Sequence, residues 1–276
     1  MKFDYYSATI PEQEYTSALT VLHALIPGKL VDHQRGMNGY QNHWTIDGPR
    51  GSQCTFMAGG HNIFPNAFAT GTHAPDFVSV VRDLWPGNHN VTRVDVAEDF
   101  DGPGAWDKLS KTLLSVVDDR SLEVQHRGDY HRNVKGRTLY VGSRQSLCHV
   151  RLYEKGIQMR EDDPFNPEKA SLDWVRLEAE IKPKRSDDKL RASTLSPLEV
   201  WGFSPTSSAI LEACCNQKVN RIPVTQAPRL DDEKLLDHVA RQYGKLFERI
   251  YMRRGTWGAV GHAIAGAKVR IDVMHR

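Results

Sequence analysis

The sequence has no long apolar run, no paired cysteine motif and no strong charge bias. No stretch approaches the roughly 18 consecutive apolar residues of a membrane helix, and the first fifteen residues lack the basic and then apolar order of a secretory signal. We therefore expect a cytoplasmic protein with no membrane partner. The four cysteines (Cys54, Cys148, Cys214, Cys215) form no CxxC pair, which argues against a zinc ribbon or a thioredoxin-like redox site.

Charge is nearly balanced overall but concentrated locally. The formal net charge of the 276 residues is only +2, too small to indicate a nucleic-acid partner by itself. Between residues 127 and 160, however, there are eight basic residues and only two acidic ones, and a second basic cluster follows at residues 182–191. Such concentration is typical of surfaces that bind phosphate backbones, although a solvated protein face remains an alternative.

The pattern of apolar residues predicts an α+β fold without internal repeats. Helices are expected near residues 19–25, 77–84 and 106–117, and a hairpin near residues 44–58. Period-2 alternation predicts further strands at residues 91–97, 122–124, 138–141, 149–153 and 174–181. Strands that alternate in this way are typical of an antiparallel sheet with one buried face and helices packed on it.

The character of the chain changes after Pro183, where helical signals take over. Residues 196–199, Ser-Pro-Leu-Glu, form a capping box with proline at the first helical position, and Ser204-Pro205 opens another helix. Apolar residues from Leu235 to Ile250 then lie on one stripe of a long amphipathic helix. We predict a catalytic α+β domain over residues 1–190 and a helical C-terminal portion over 191–276, packed on that domain.

Three of the predicted strands carry ionisable residues on one face, because side chains at i, i+2 and i+4 point the same way. The first has Arg93, Asp95 and Ala97, and Asp99 follows at the end of the strand. The second has Arg151, Tyr153 and Lys155, and the third has Arg176, Glu178 and Glu180. One interpretation is the solvated face of a one-sided sheet. The other is a site, because the three sets together supply carboxylates, cations and a phenol.

The second interpretation suits phosphoryl chemistry at a metal ion. Asp95, Glu178 and Glu180 offer the hard oxygen ligands preferred by Mg²⁺ or Mn²⁺. Tyr153 is a weak nucleophile as a phenol, but flanking cations such as Arg151 and Lys155 would favour its phenolate. Attack on a phosphodiester would leave a phosphotyrosine. This ester keeps the energy of the phosphodiester bond, so the strand can be rejoined later.

Four motifs along the chain resemble, in order and spacing, the replication initiation factor family. They are TRVDVAEDF (92–100), LYVGSRQS (139–146), VRLYEKG (150–156) and WVRLEAE (174–180). This family comprises the trans-acting rolling-circle initiators of small plasmids and filamentous phages, with relatives among relaxases of integrative elements. The resemblance covers roughly residues 91–182, and four ordered motifs make it fairly specific.

The resemblance implies a divergent tyrosine-nickase or relaxase-like domain that nicks one DNA strand at an origin and stays attached to the 5′-phosphate. The motif tyrosine falls on Tyr153, with Arg151 and Lys155 beside it as catalytic residues. The motif acids fall on Asp95, Glu178 and Glu180, implied ligands of Mg²⁺ or Mn²⁺, and Glu180 is also a candidate general base. The His-hydrophobic-His metal pair of the larger nickase class is absent, which leaves His126, His131 and His149 as candidate extra ligands.

Tyr140 is a second candidate nucleophile because it too lies in a family motif, before a turn that could bind phosphate through backbone N–H groups and Arg144. Ser143 could contact DNA or cap that turn. We expect DNA contacts from six residues of the motif region: Arg93, Tyr140, Ser143, Arg144, Arg176 and Lys182. In the C-terminal portion, the candidates for origin contacts are Arg221, Arg229, Lys245, Arg253 and Arg254.

Three functions are weighed from the sequence. The favoured one is a nicking and joining initiator that acts on an origin hairpin or a single-stranded nick site. A relaxase of a mobile element would share the same chemistry. The alternatives are a sequence-specific DNA-binding regulator without catalysis and a metal phosphodiesterase that acts through water and leaves no adduct. The resemblance further implies a host helicase as partner, and it leaves a homodimer open.

Overall fold

The computed structural model describes residues 1–12, 14–49, 51–132, 135–162, 170–225 and 232–274. The chain divides into two compact units, residues 1–225 and 226–276. The first unit is an α+β domain, as the sequence predicts, and the second consists of two helices in its described part.

Ten strands of the described chain form one antiparallel sheet in the first unit. Their spatial order is β2-β3-β4-β5-β1-β6-β10-β9-β8-β7. In chain order the strands are β1 (Lys2–Thr9), β2 (Lys29–Asp32), β3 (Asn42–Gly48), β4 (Gly51–Ala58), β5 (Asn66–Thr70), β6 (Asn90–Asp101), β7 (Val124–Arg127), β8 (Thr138–Val141), β9 (Cys148–Tyr153) and β10 (Trp174–Ile181). The antiparallel strands predicted from the alternation at residues 91–181 are therefore confirmed.

Helices cover the apolar face of this sheet. They are α1 (Tyr15–Leu25), α2 (Ala74–Leu84), α3 (Ala105–Asp119), α5 (Ser186–Ala192), α6 (Pro197–Val200) and α7 (Pro205–Cys215), whereas residues of α4 (Lys155–Asp162) reach the ionisable face. The core between the layers is built from alternate strand residues such as Val94, Val96, Leu152 and Leu177, all fully buried. Their neighbours along each strand therefore point to the opposite face, which holds the ionisable residues.

The capping box predicted at Ser196 is confirmed: the Glu199 backbone N–H donates to the Ser196 hydroxyl, and the Ser196 N–H donates to the Glu199 carboxylate. Helices α6 and α7, which follow residue 190, belong to the first unit. Trp201, Phe203 and Ile210 are buried in the same core as the sheet, so the compact unit ends at residue 225 rather than at residue 190. The predicted assignment of catalysis to residues 1–190 and origin binding to 191–276 stays a prediction.

The first strand contains an irregularity that matters for the site. Phe3 pairs with Val96 and Tyr5 with Asp95, so Asp4 is the extra residue of a β-bulge against β6. Bulges of this kind redirect side chains and are common beside active sites. Here the bulge lets Phe3 and Tyr6 both enter the core while Asp4 and Tyr5 remain on the ionisable face.

The second unit contains α8 (Asp232–Arg254) and α9 (Trp257–Met274). Tyr251 near the end of α8 stacks on Trp257 at the start of α9, with ring centroids 4.9 Å apart, and Val260 is buried. The helix predicted from the stripe Leu235–Ile250 is thus present. Across the part of the chain that the structure describes, no helix has the length and apolarity needed to cross a membrane.

Candidate active site

The ionisable face of the sheet forms the wall of a cavity of about 560 Å³. Residues directly opposite in an antiparallel pair lie on the same face, and the pairs Tyr5–Asp95, Asp95–Glu180, Glu178–Arg151 and Arg151–Tyr140 are all opposite. The strand register therefore brings the three predicted ionisable sets together. One correction concerns Lys155: β9 ends at Tyr153, and Lys155 is the first residue of α4, at the edge of the same cavity.

Tyr153 lies at the end of β9 with only 9% of its surface exposed. Its hydroxyl donates to Glu178 Oε2 at 3.3 Å, and Arg151 binds the other oxygen of the same carboxylate. The Arg151 guanidinium and the Lys155 ammonium lie 5.3 Å and 5.8 Å from the centroid of the Tyr153 ring. Glu178 is fully buried, so it connects the phenol to a positive charge within the protein.

Cations near Tyr153 favour its phenolate, as predicted for Arg151, but burial outweighs them. Burial raises the pKa of Tyr153 above its ordinary value, the Glu178 charge raises it further, and Arg176 and Arg151 only partly oppose these effects. The Arg151 charge is already balanced by Glu178. Tyr153 is therefore a phenol at neutral pH, and its proton needs an acceptor during any attack. The hydroxyl already donates to Glu178, a carboxylate whose chemistry allows it to accept a proton.

A second cluster surrounds Arg93, two residues before Asp95 on β6. Arg93 Nε donates to Asp95 Oδ1 at 2.8 Å, and its Nη2 lies 2.7 Å from Glu180 Oε2. Lys182 Nζ lies 2.6 Å from the other Glu180 oxygen. Burial raises the pKa of Asp95 to about 7 against the opposing effect of Arg93. Glu180, the predicted general base, thus lies on Arg93 and Lys182, whereas Glu178 contacts the phenol.

The donor chemistry of Asp95, Glu178 and Glu180 fits a hard divalent cation, and the register puts all three on one face. In the structure, however, an arginine binds each of them: Arg93 holds Asp95 and Glu180, and Arg151 holds Glu178. Among the residues described, no three His, Cys, Asp or Glu side chains are grouped closely enough to hold a metal ion. A bound cation would therefore have to take carboxylate oxygens from these arginines.

Arg176, predicted to contact DNA, is 4% exposed and ion-paired inside the fold. Its Nε and Nη2 donate to Asp99 at 2.6 and 2.9 Å, and its Nη1 donates to Asp4 at 2.6 Å. Although burial alone would raise it, the hydrogen bonds from Arg176, Lys2 and Trp174 lower the pKa of Asp99 to about 2. Arg176 therefore joins β10 to β6 and to the bulge of β1, a structural clamp beneath Tyr153.

Replacing this clamp should destabilise the protein. In Arg176→Met the two carboxylates lose a shared, largely desolvated partner, and we expect a loss of about 3 kcal/mol in the free energy of unfolding, at the lower end for a broken buried pair because Asp99 keeps some contact with water. Urea unfolding followed by tryptophan fluorescence measures it. The matched control is Arg120→Met, at the exposed end of α3. A loss below about 1 kcal/mol in Arg176→Met would contradict the clamp.

Besides Arg93 on β6, the other predicted DNA-contact residues lie on β8 and around the turn between β8 and β9. Tyr140 stacks on His149, and the Arg144 guanidinium lies 5.6 Å from the Tyr140 ring centroid. The Ser143 hydroxyl accepts the Gln145 N–H at 3.2 Å, so it caps the turn, one of its two predicted roles. Lys182 Nζ donates to the Arg144 carbonyl at 3.1 Å. Their contacts with DNA stay predictions.

The candidate extra ligands and the C-terminal candidates are dispersed. The His126 ring lies 5.2 Å from the Tyr130 ring, and the His131 N–H donates to Asp129. Arg221 donates to the Gly202 carbonyl at 2.7 Å. Lys245, Arg253 and Arg254 are exposed on α8, and Arg229 lies outside the described residues.

Sequence reasoning missed four residues of this site. Asp4 and Tyr5 reach it from β1, which was not predicted as a strand. Glu154 is 4% exposed and accepts hydrogen bonds from the Arg137 N–H, Nε and Nη2 at 2.6–3.0 Å. The Arg137–Glu154 pair connects the start of β8 to the start of α4 beside the cavity. The sequence signal for Glu154 was its position, an acid directly after the motif tyrosine and within a basic stretch.

Comparison with known proteins bears on this geometry. The family model described as replication initiation factor matches residues 89–255, more than half of the chain. A search of the solved structures finds the rolling circle replication initiator protein from Geobacillus stearothermophilus, with a TM-score of 0.52 and 19% identity over 84% of this chain and 89% of that chain. At this identity the likeness shows the fold. No curated protein matches the chain.

Proposed function

The chain belongs to the replication initiation factor family, and we propose that it initiates rolling-circle replication by nicking one DNA strand at its origin through Tyr153. The observation that carries the proposal is the phenol of Tyr153 on the wall of the large cavity, hydrogen-bonded to the buried carboxylate of Glu178. A phenol that has both a built-in proton acceptor and surrounding cations is suited to attack a phosphodiester. An origin hairpin or a single-stranded nick site is the substrate.

The proposed step is a transesterification. The Tyr153 oxygen attacks the phosphorus, its proton passes to Glu178 Oε2, and the bond between phosphorus and the 3′ oxygen breaks. The strand then carries its 5′-phosphate on Tyr153 and ends in a free 3′-hydroxyl. The reverse reaction rejoins the strand, because the phosphotyrosine keeps the phosphodiester bond that hydrolysis would lose.

Lys155 is the proposed acid for the departing 3′ oxygen. Burial and the neighbouring Arg176 lower the pKa of Lys155, which makes its ammonium a better proton donor. The ammonium lies beside the Tyr153 ring and lines the cavity. Arg127, Lys135 and Arg137 line the same cavity, so positive charge surrounds the place where the phosphate would sit.

We propose that Mg²⁺ or Mn²⁺ acts with these residues, held by Asp95 and Glu180 with Glu178 next to them. When bound, such a cation polarises the phosphate and stabilises charge in the transition state. Arg93 pairs with both Asp95 and Glu180, and its positive charge offsets the repulsion between the two carboxylates. The host helicase and a homodimer, implied by the family resemblance, are the further proposed partners.

A nicking assay tests the function. Purified protein is incubated with a supercoiled plasmid that carries the cognate origin, with Mn²⁺ or with EDTA, and the products are resolved on a denaturing gel. We expect nicked circles with protein attached in Mn²⁺ and a reduction of at least about 100-fold in EDTA, because the cation supplies several kcal/mol of charge stabilisation. Origin binding without a nick in Mn²⁺ would favour the regulator, and a nick without adduct would favour the metal phosphodiesterase that acts through water.

A further inference from the structure

A second cavity of about 300 Å³ lies next to the first on the same sheet face. Tyr140 and Arg127 line both cavities, so the two adjoin. The second cavity is also lined by Gln125, Arg144, Gln145 and His149 and by one carboxylate, Glu123, which accepts a hydrogen bond from the Gln125 amide at 3.4 Å. Its volume is at the lower end of the range for small-ligand pockets, a size suited to a single base.

The wall of this cavity is an aromatic pair. The rings of Tyr140 and His149 are stacked, with centroids 5.4 Å apart and planes 13° from parallel. His149 is 5% exposed, whereas Tyr140 is half-buried and has the guanidiniums of Arg127 and Arg144 over its ring. A partly exposed aromatic ring backed by a second ring is a platform on which a nucleobase can stack.

Two guanidiniums border that platform. Arg127 lies 5.9 Å and Arg144 5.6 Å from the centroid of the Tyr140 ring, and both residues are exposed. A base on Tyr140 would therefore have cations beside it that can bind its flanking phosphates. The side-chain amides of Gln125 and Gln145 border the same cavity and can donate to or accept from the edge of a base.

The turn that holds Arg144 and Gln145 is fixed before any ligand binds. Lys182 Nζ and Lys184 Nζ donate to the carbonyls of Arg144 and Gln145, each at 3.1 Å, and the Ser146 hydroxyl donates to the Ser143 carbonyl at 2.6 Å. Both lysines follow β10, the strand that carries the site carboxylates. A rigid turn reduces the entropy lost on binding.

We infer that this second cavity binds one unpaired nucleotide of the nicked strand, with its base stacked on Tyr140 and its phosphates held by Arg127 and Arg144. The inference rests on the proposed function for the identity of the strand. It gives Tyr140 the role of a base platform in place of the second nucleophile that its motif position suggested. Arg151 lies directly opposite Tyr140 and also flanks Tyr153. A nucleotide bound at Tyr140 would therefore lie within a few nucleotides of the reacting phosphate.

Binding of the protein to a 20-nucleotide oligothymidine tests the Tyr140 base platform, and the assay requires no nicking. Fluorescence anisotropy should give about tenfold weaker binding for Tyr140→Ala, the effect of one lost base stack, and a value within about twofold of wild type for Tyr140→Phe, which keeps the ring. The matched control is Tyr40→Ala, a half-buried tyrosine on the turn before β3, with unchanged binding expected. Wild-type affinity in a folded Tyr140→Ala would overturn the inference.

Photocrosslinking covers the case in which Tyr140→Ala fails to fold. The same oligonucleotide with single 5-iododeoxyuridine substitutions is irradiated with Tyr153→Phe protein, and adducts are mapped by mass spectrometry. Cross-links on Tyr140 or His149 would support the platform, and cross-links confined to other peptides would overturn it. Because neither experiment depends on cleavage, a failed nicking assay would count against the proposed function and leave the platform standing.

Discussion

Tyr153→Phe should abolish covalent capture of origin DNA, with a loss of at least about 1,000-fold, because no other group takes over an absent nucleophile at this position. The change should leave the protein folded. The Tyr153 hydroxyl makes one hydrogen bond, at 3.3 Å, and Glu178 keeps its pair with Arg151, so we expect a loss of at most about 1 kcal/mol in stability. The measurement is the amount of protein–DNA adduct on a denaturing gel.

Tyr140→Phe is the matched control for this experiment. It removes the hydroxyl of the other motif tyrosine, 13 residues earlier on the neighbouring strand, and keeps the ring that the base platform needs. We expect its adduct yield to stay within a few-fold of wild type. Loss of the adduct in Tyr140→Phe together with its retention in Tyr153→Phe would move the nucleophile to Tyr140 and overturn both proposals.

Glu178→Gln is expected to have the second largest effect, slowing adduct formation about 100- to 10,000-fold at neutral pH, the usual contribution of a general base. The physical reason is the protonated state of Tyr153, whose pKa burial and Glu178 raise. Without the carboxylate, hydroxide has to remove the phenol proton. The residual rate of the variant should therefore rise about tenfold per pH unit and should not level off below pH 10. Single-turnover adduct formation across pH 6–10 measures this.

The control for Glu178→Gln has to separate catalysis from folding, because the change leaves the half-buried Arg151 without its counter-charge. The double variant Arg151→Gln/Glu178→Gln removes both charges and should regain most of the stability. If this folded variant stays as slow as the single one, the loss comes from the missing base. Near-wild-type rates in either variant would exclude Glu178 as the proton acceptor.

Much of the sheet was predictable from the sequence, and the first strand shows why some of it was not. From residue 91 to 181 the alternation is regular, and it correctly put Asp95, Glu178 and Tyr153 on one face. In β1 the bulge at Asp4 interrupts the alternation, so Phe3 and Tyr6 are both buried three residues apart. A local irregularity of this kind removes the period-2 signal while serving the site.

The electrostatics of the site depend on burial and on partner choice, which the sequence does not display. The cations near Tyr153 were identified correctly, but Arg151 is taken by Glu178 and Arg176 by Asp4 and Asp99. With their charges balanced, desolvation dominates the pKa of the phenol. To predict the direction of this pKa shift, both the charges and the burial of the site must be known. The burial comes from the packing of neighbouring strands and helices.

Mass-spectrometric mapping of the trapped adduct is the most direct test of the account. Wild-type protein is incubated with origin DNA in Mn²⁺, denatured and digested with protease and nuclease, and the peptide that retains a nucleotide is sequenced. We predict a 5′-phosphoryl nucleotide on Tyr153, in the segment 152–155 that joins β9 to α4. A nucleotide on Tyr140 or on any other residue, or a nicked origin with no modified peptide, would contradict the claim that Tyr153 is the nucleophile.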